Sequence, residues 1–121
     1  MESCVDMQAN DVSKYFDELY ALGNSFDKDK TFQEILAFCK AIGNEERLKL
    51  LLVLKDEDKC VCELEAILNK AQSTISHHLR KLEDVGLIMG FKKGKFTHYD
   101  IIDKKLLYFL DLMNKELKST P

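Results

Sequence analysis

AQSTISHHLRKLEDVG, residues 71–86, is the stretch on which the reading of the chain turns. Ile75, Leu79 and Leu82 recur at helical spacing, with Val85 one step on, so the segment is expected to form a helix with one buried face. Gly86 can adopt the left-handed conformation that ends such a helix. Gln72, Ser73, Thr74, His77, Arg80 and Lys81 are left on the other side. Short hydrogen-bonding side chains followed by cations suit a helix entering a DNA groove. Amides and hydroxyls can address base edges, while Arg and Lys neutralise phosphate. A solvated face on an ordinary helix has the same pattern, so the flanking segments must decide between the two.

Upstream, Cys60-Val61-Cys62 leads into a short helix, Glu63 to Leu68, expected to pack through Leu64, Ile67 and Leu68. A turn at Asn69 to Ala71 joins it to the first stretch. Two short helices joined by a tight turn, the second with a polar face, form a helix-turn-helix, here about 62–86. Downstream, Leu87 to Phe91 and Phe96 to Ile102 read as strands around a basic turn, Lys92 to Lys95, centred on Gly94. This two-stranded hairpin, about 87–102, would be a wing that sets Lys92, Lys93 and Lys95 beside a DNA backbone. Asp103 can cap a last helix to about Lys118, with Leu106, Leu107, Phe109, Leu110, Met113 and Leu117 on a broad apolar face.

Toward the N-terminus, Asn44 is a suitable N-cap for a helix with Glu45 and Glu46 in its first turn and Leu48, Leu51, Leu52 and Val53 as core. Lys55 to Lys59 reads as a charged turn. Thr31 and Glu34 form a capping-box pair opening a helix to about Ile42, with Phe32, Ile35, Leu36, Cys39 and Ile42 inward. Asp11 to Leu22 is a further helix ending at Gly23, followed by a polar linker from Asn24 to Lys30. Residues 1–10 are expected to be a flexible arm, and 11–121 a single domain of α+β class, mostly α. The apolar faces of the two terminal helices bury most economically against each other across a two-fold axis, which makes them dimerisation helices.

The charge distribution agrees with this layout. The chain carries a formal net charge of −3, yet Asn69 to His98 has six cations against two acids, a local +4, and leaves −7 for the remainder. No apolar run approaches the roughly 20 residues of a membrane span, and the N-terminus has no signal-peptide core, so a cytoplasmic protein is expected. Four cysteines in such a compartment point to packing, metal or redox chemistry rather than structural disulfides. There is no phosphate-binding Gly-rich loop, nucleophile motif or cofactor fingerprint, which argues against an enzyme.

Several motifs together resemble the ArsR/SmtB family of winged-helix metal-sensing repressors, over roughly Phe32 to Leu117. They are Lys40-Ala41-Ile42-Gly43-Asn44 with Arg47, then Cys60-Val61-Cys62-Glu63-Leu64, then Gln72-Ser73-Thr74-Ile75-Ser76-His77-His78-Leu79 with Gly86-Leu87-Ile88, and the hairpin ending in His98-Tyr99. The resemblance implies a homodimeric repressor that binds double-stranded operator DNA and is released by a metal or metalloid ion. The candidate DNA contacts are then Gln72, Ser73, Thr74, Ser76, His77, Arg80 and Lys81 with Lys92, Lys93 and Lys95. His78 is assigned to the helix interface, and His98 is given no chemistry.

Cys60 and Cys62 lie two apart, so in an extended or first-turn conformation both sulfurs can face one soft ion. The alternative is two small buried apolar side chains. Two thiolates seldom complete a site. The family's arsenic sensors often add a third Cys just after the pair, but three residues past Cys62 this chain has Glu65. Resemblance to the family's cadmium and lead sensors implies Cys4 as the third ligand. Cys39 is the other candidate third ligand, but its place on the apolar face with Ile35 and Ile42 favours core packing. The family's zinc site on the last helix is not supported, because Asp103 to Lys118 contains no His. Trivalent arsenic or antimony would suit trigonal sulfur as inducer, while cadmium, lead, mercury or zinc would take a fourth ligand. Two readings compete: a thiol-based redox-responsive or constitutive regulator, and a winged-helix module that binds another protein.

Overall fold

A computed structural model describes residues 9–118. The chain divides into two compact units that part at Gln33–Glu34. In the N-terminal unit, helix α1 spans Ala9–Ser25 and is followed by a 3-10 turn, Phe26–Lys28. Helix α1 takes in the last two residues of the segment read as a flexible arm; the rest of that segment lies outside the described residues. The helix also runs through Gly23 instead of stopping there, and the segment read as a linker contains the 3-10 turn. With no side chain that must be placed, a helix can carry a single glycine at a cost of about 1 kcal/mol. Helix α2, Lys30–Ile42, runs through the division at Gln33–Glu34, so that Phe38 and Ala41 belong to the second unit, and it begins one residue before the proposed Thr31 cap, because Asp29 Oδ1 accepts the Phe32 N–H at 3.2 Å.

In the second unit α3 (Glu45–Leu54), α4 (Val61–Leu68) and α5 (Gln72–Asp84) precede the hairpin β2 (Ile88–Lys93) and β3 (Phe96–Ile101), and α6 (Asp103–Leu117) closes the chain. The expected wing hairpin, β2 paired antiparallel with β3, is present and gains a third strand. A two-residue strand β1, Lys59–Cys60, pairs antiparallel with β3 and makes a three-stranded sheet of order β1-β3-β2. The sequence concealed it because two residues at the end of a charged turn carry no period. Strand β2 also extends to Lys93, leaving a two-residue turn, Gly94–Lys95, in which Gly94 has φ +65°. Such tight hairpin turns need positive φ, which glycine adopts freely.

The core gathers Phe38 and Ala41 of α2, Leu50, Leu51 and Leu54 of α3, Leu64 of α4, and Ile75, Leu79 and Leu82 of α5, with Leu87, Ile88 and Phe109. The α5 face is the one its period predicts, and Gly86 ends it at φ +77°. Elsewhere the phase differs. In α2 burial centres on Phe38 and Ala41, while Ile35, Leu36, Cys39 and Ile42 are half-buried and Phe32 is exposed. In α3, Leu48 and Leu52 are exposed and Leu50 and Leu54 are fully buried. Ile67 of α4 is also exposed. These helices are apolar over more than one face, so periodicity alone cannot choose which side meets the core.

Helix α6 is capped by no side chain. Ile102 holds the N-cap position and Asp103 lies inside the first turn, where its charge still suits the helix dipole. On α6 only Phe109 is buried, and Leu107, Leu110 and Leu117 are exposed. Asn44 does cap α3, its side-chain oxygen accepting the Arg47 N–H at 3.1 Å. Asn44→Ala is expected to cost about 1 kcal/mol, read as a lower urea midpoint at an unchanged slope. A loss below about 0.3 kcal/mol would show that water satisfies the freed donor equally well. No helix of the described residues is long and apolar enough to cross a membrane.

Candidate functional site

Helix α5 presents Gln72, Ser73, Ser76, His77, Arg80 and Lys81 to solvent and Thr74 half-buried. Its buried partners Ile75, Leu79 and Leu82 fix that orientation by occupying the core. Lys92, Lys93 and Lys95 are exposed at the tip of the hairpin. The ten residues nominated from sequence as a DNA surface therefore lie on one helix face and one hairpin tip.

Two arrangements at this surface were not legible in the sequence. Asp58, in the turn before β1, takes a hydrogen bond from Lys93 Nζ at 3.2 Å and lies 2.7 Å from His98 Nδ1. Partial burial works against the Asp58 charge, but Lys93 and His98 outweigh it and hold the carboxyl below its ordinary range. The turn is thereby tied to the wing. The second arrangement surrounds His78, which is buried on α5 between Glu46 and Arg47 of α3. The hydrogen bond from His78 is the main reason the Glu46 carboxyl sits below its ordinary range.

Cys60 and Cys62 stand at the opening of α4. Cys60 is its N-cap, with extended backbone (φ −82°, ψ 163°), and its N–H donates to Glu63 Oε1 at 2.9 Å. Cys62 is in the first turn. This combination brings the two sulfurs to one side, 2.7 Å apart. The Cys60 thiol is pushed above its ordinary range, first by its hydrogen bond with the Cys62 sulfur and further by burial, both of which favour the protonated form. Cys60 is buried, Cys62 exposed, so an ion reaching the pair from solvent meets Cys62 first.

As a donor set the pair fits a thiophilic ion, and it supplies two of the three or four ligands such an ion takes. Among the described residues no group of three His, Cys, Asp or Glu is placed to hold a metal. Cys39 packs against the core, and Cys4 lies outside the described residues. The thiols open onto a cleft of about 280 Å³ that is also lined by Gln72 at the start of α5 and by Lys92, Lys95 and Phe96 of the hairpin.

Comparison with known proteins places this architecture. The family model described as "Bacterial regulatory protein, arsR family" matches residues 44–89, from the α3 cap through α5 into β2. A cadmium resistance transcriptional regulatory protein of Listeria innocua is 35% identical over 79 residues. That match covers 64% of this chain and 66% of that protein, so the chain spans just under two thirds of its length. An uncharacterized HTH-type transcriptional regulator of Methanocaldococcus jannaschii is 32% identical over 69% of this chain and 96% of its own length. The solution structure of a homodimeric winged helix-turn-helix DNA-binding domain from Mycobacterium bovis shares the fold at a TM-score of 0.58. It covers 74% of this chain and 83% of that one at 20% identity. Fold and relatives thus agree that the chain belongs to the arsR family of bacterial regulatory proteins, with a winged helix-turn-helix fold.

Proposed function

We propose that the protein is a homodimeric repressor that holds operator DNA with α5 and the wing and lets go when a thiophilic ion binds Cys60 and Cys62. The observation that carries this reading is the shared cleft: the thiol pair, Gln72 of the reading helix and two wing lysines line one space. An ion drawn between the sulfurs acts on the N-terminus of α4, one short turn away from α5. Gln72, Ser73, Thr74, Ser76 and His77 would meet base edges and nearby backbone, and Arg80, Lys81, Lys92, Lys93 and Lys95 would neutralise phosphate. Cys4 is the proposed third ligand, and the Listeria relative's role in cadmium resistance supports a soft metal as inducer.

Dimerisation is supported by the large apolar side chains left in solvent on the terminal helices, among them Phe16 and Leu22 of α1 and Leu107 and Leu117 of α6. A two-fold dimer sets its reading helices at the spacing of successive major grooves, about 34–36 Å, and ion binding favours a dimer with another spacing. Coupling is reciprocal, so DNA weakens ion binding by the same factor, typically about 1–3 kcal/mol.

Fluorescence anisotropy of the reduced, metal-free protein on DNA from its own promoter, titrated in parallel with arsenite, cadmium and zinc, tests the reading. Release by one of them near stoichiometry is expected. Tight DNA binding that none of the three disturbs would overturn it. The two free sulfurs in contact also favour a second reading, in which peroxide oxidises the pair and releases DNA. A thiol count before and after peroxide in metal-free buffer separates the two.

A further inference from the structure

The buried histidine of α5 has no part in reading DNA or holding an ion, yet both of its ring nitrogens are engaged by side chains of another helix. His78 is 7% exposed. Its Nδ1 lies 3.1 Å from Arg47 Nη1 and its Nε2 lies 2.6 Å from Glu46 Oε2. A guanidinium has only donors, so Nδ1 must be the acceptor there. The ring proton then sits on Nε2 and donates to Glu46, a tautomer assigned by the network itself. Both ends of the imidazole are used, each by a different residue of α3.

The partners are themselves anchored. Arg47 Nε donates to the Ala41 carbonyl at 2.6 Å and Nη2 to the Lys40 carbonyl at 3.2 Å, closing the C-terminal end of α2. The other oxygen of Glu46 lies 3.5 Å from Lys70 Nζ, in the turn between α4 and α5. One side chain of α5 is therefore fixed to the end of α2, the start of α3 and the turn that leads into α5 itself. Apolar packing does not do this along the whole helix. Toward its C-terminus α5 faces a cleft of about 310 Å³ lined by Ala37, Lys40, Arg47, Lys81, Asp84 and Val85. Apolar contacts resist separation of helices but have no preferred direction, whereas a two-ended hydrogen bond fixes rotation and tilt.

We infer that His78 is a positioning residue that sets the rotation and tilt of α5, through Glu46 and Arg47, and so determines how sharply the protein discriminates its operator from other DNA. The inference rests on α5 being the reading helix. Phosphate contacts tolerate a few degrees of misalignment; bidentate contacts to base edges do not. Loss of the clamp should thus spare non-specific binding and degrade specific binding.

The experiment measures the affinity of the full chain for operator DNA and for a scrambled duplex of equal length, at several salt concentrations, for His78→Leu, His78→Gln, Glu46→Ala and Gln72→Ala. His78→Leu fills the same space without either hydrogen bond, and is expected to lower operator affinity about 10- to 30-fold with scrambled-duplex affinity and salt slope unchanged. His78→Gln, which keeps one donor for Glu46, should recover part of the ratio. Glu46→Ala lies on α3, away from the reading face, and serves if His78→Leu does not fold; it should reduce the ratio in the same direction. An operator-to-scrambled ratio that stays at the wild-type value in Glu46→Ala, or a parallel fall on both duplexes in His78→Leu, would overturn the positioning role. Gln72→Ala distinguishes the two levels. If it leaves operator affinity untouched, α5 is not the reading helix and the inference falls with that reading; if it weakens the operator while Glu46→Ala does not, only the inference falls.

Discussion

Phe38→Ala is expected to destabilise the protein by about 3–5 kcal/mol, a large part of the total stability of a domain of this size. Phe38 is 1% exposed and its ring stacks on Phe109 of α6, with centroids 4.8 Å apart and planes 15° from parallel. Truncation removes the transfer energy of the ring and leaves a cavity that rigid helices on either side cannot close. Phe109 also loses its stacking partner, and it is the one buried residue of α6. Urea unfolding followed by circular dichroism gives the cost directly. The control is Phe32→Ala on the same helix. Phe32 is 37% exposed and contacts the Phe26 ring at a centroid distance of 5.2 Å, so its loss should cost no more than about 1 kcal/mol. Equal costs at 32 and 38 would mean that the core is not centred where the structure has it.

The second large effect is on regulation. Cys60→Ser and Cys62→Ser should each leave operator affinity within about two-fold of wild type and raise the inducer concentration needed for release by 100-fold or more. A hydroxyl replaces a soft thiolate ligand with a hard, neutral one, and the ion loses the adjacent thiolate pair that anchors it. Folding should survive both changes. Cys62 is exposed, and serine is a good N-cap at position 60, where the Glu63 carboxylate already holds the backbone N–H. Anisotropy titrations, with the ion that releases wild-type protein, read both quantities at once. If the serine variants lose operator affinity itself, the cysteines maintain the DNA surface and the ion-sensing proposal fails. If release persists in both, the inducer binds elsewhere.

The two results probe different kinds of information. Helix α5 was legible because its sequence is polarised: Ile75, Leu79 and Leu82 on one side, amides, hydroxyls and cations on the other. A pattern of that kind has one low-energy orientation against any apolar neighbour, whatever the neighbour is. The Asn44 cap and the end of α5 at Gly86 were legible for the same reason, since their chemistry is satisfied by atoms within a few residues. The C-x-C spacing is local in the same sense: two residues apart at a helix start, the sulfurs can share one side, and they stand 2.7 Å apart.

Helices α2 and α3 carried no such asymmetry. Leu48, Leu50, Leu51, Leu52, Val53 and Leu54 give α3 apolar residues all round, and only the positions of α5, α4 and the sheet decide that Leu50 and Leu54 face inward while Leu52 does not. Strand β1 exists because β3 offers it a partner: Lys59 faces Tyr99 and Cys60 faces His98. The Asp58–Lys93–His98 contacts and the Glu46–His78–Arg47 clamp join residues more than thirty positions apart, and neither end of such a pair signals the other in the chain. Local chemistry, with a range of a few residues, determined helix α5 and its buried face, the Asn44 cap and the family. Which apolar faces meet, and which polar groups are brought out of water together, was decided only by the tertiary structure, because burial is a property of the assembled core and not of any one helix.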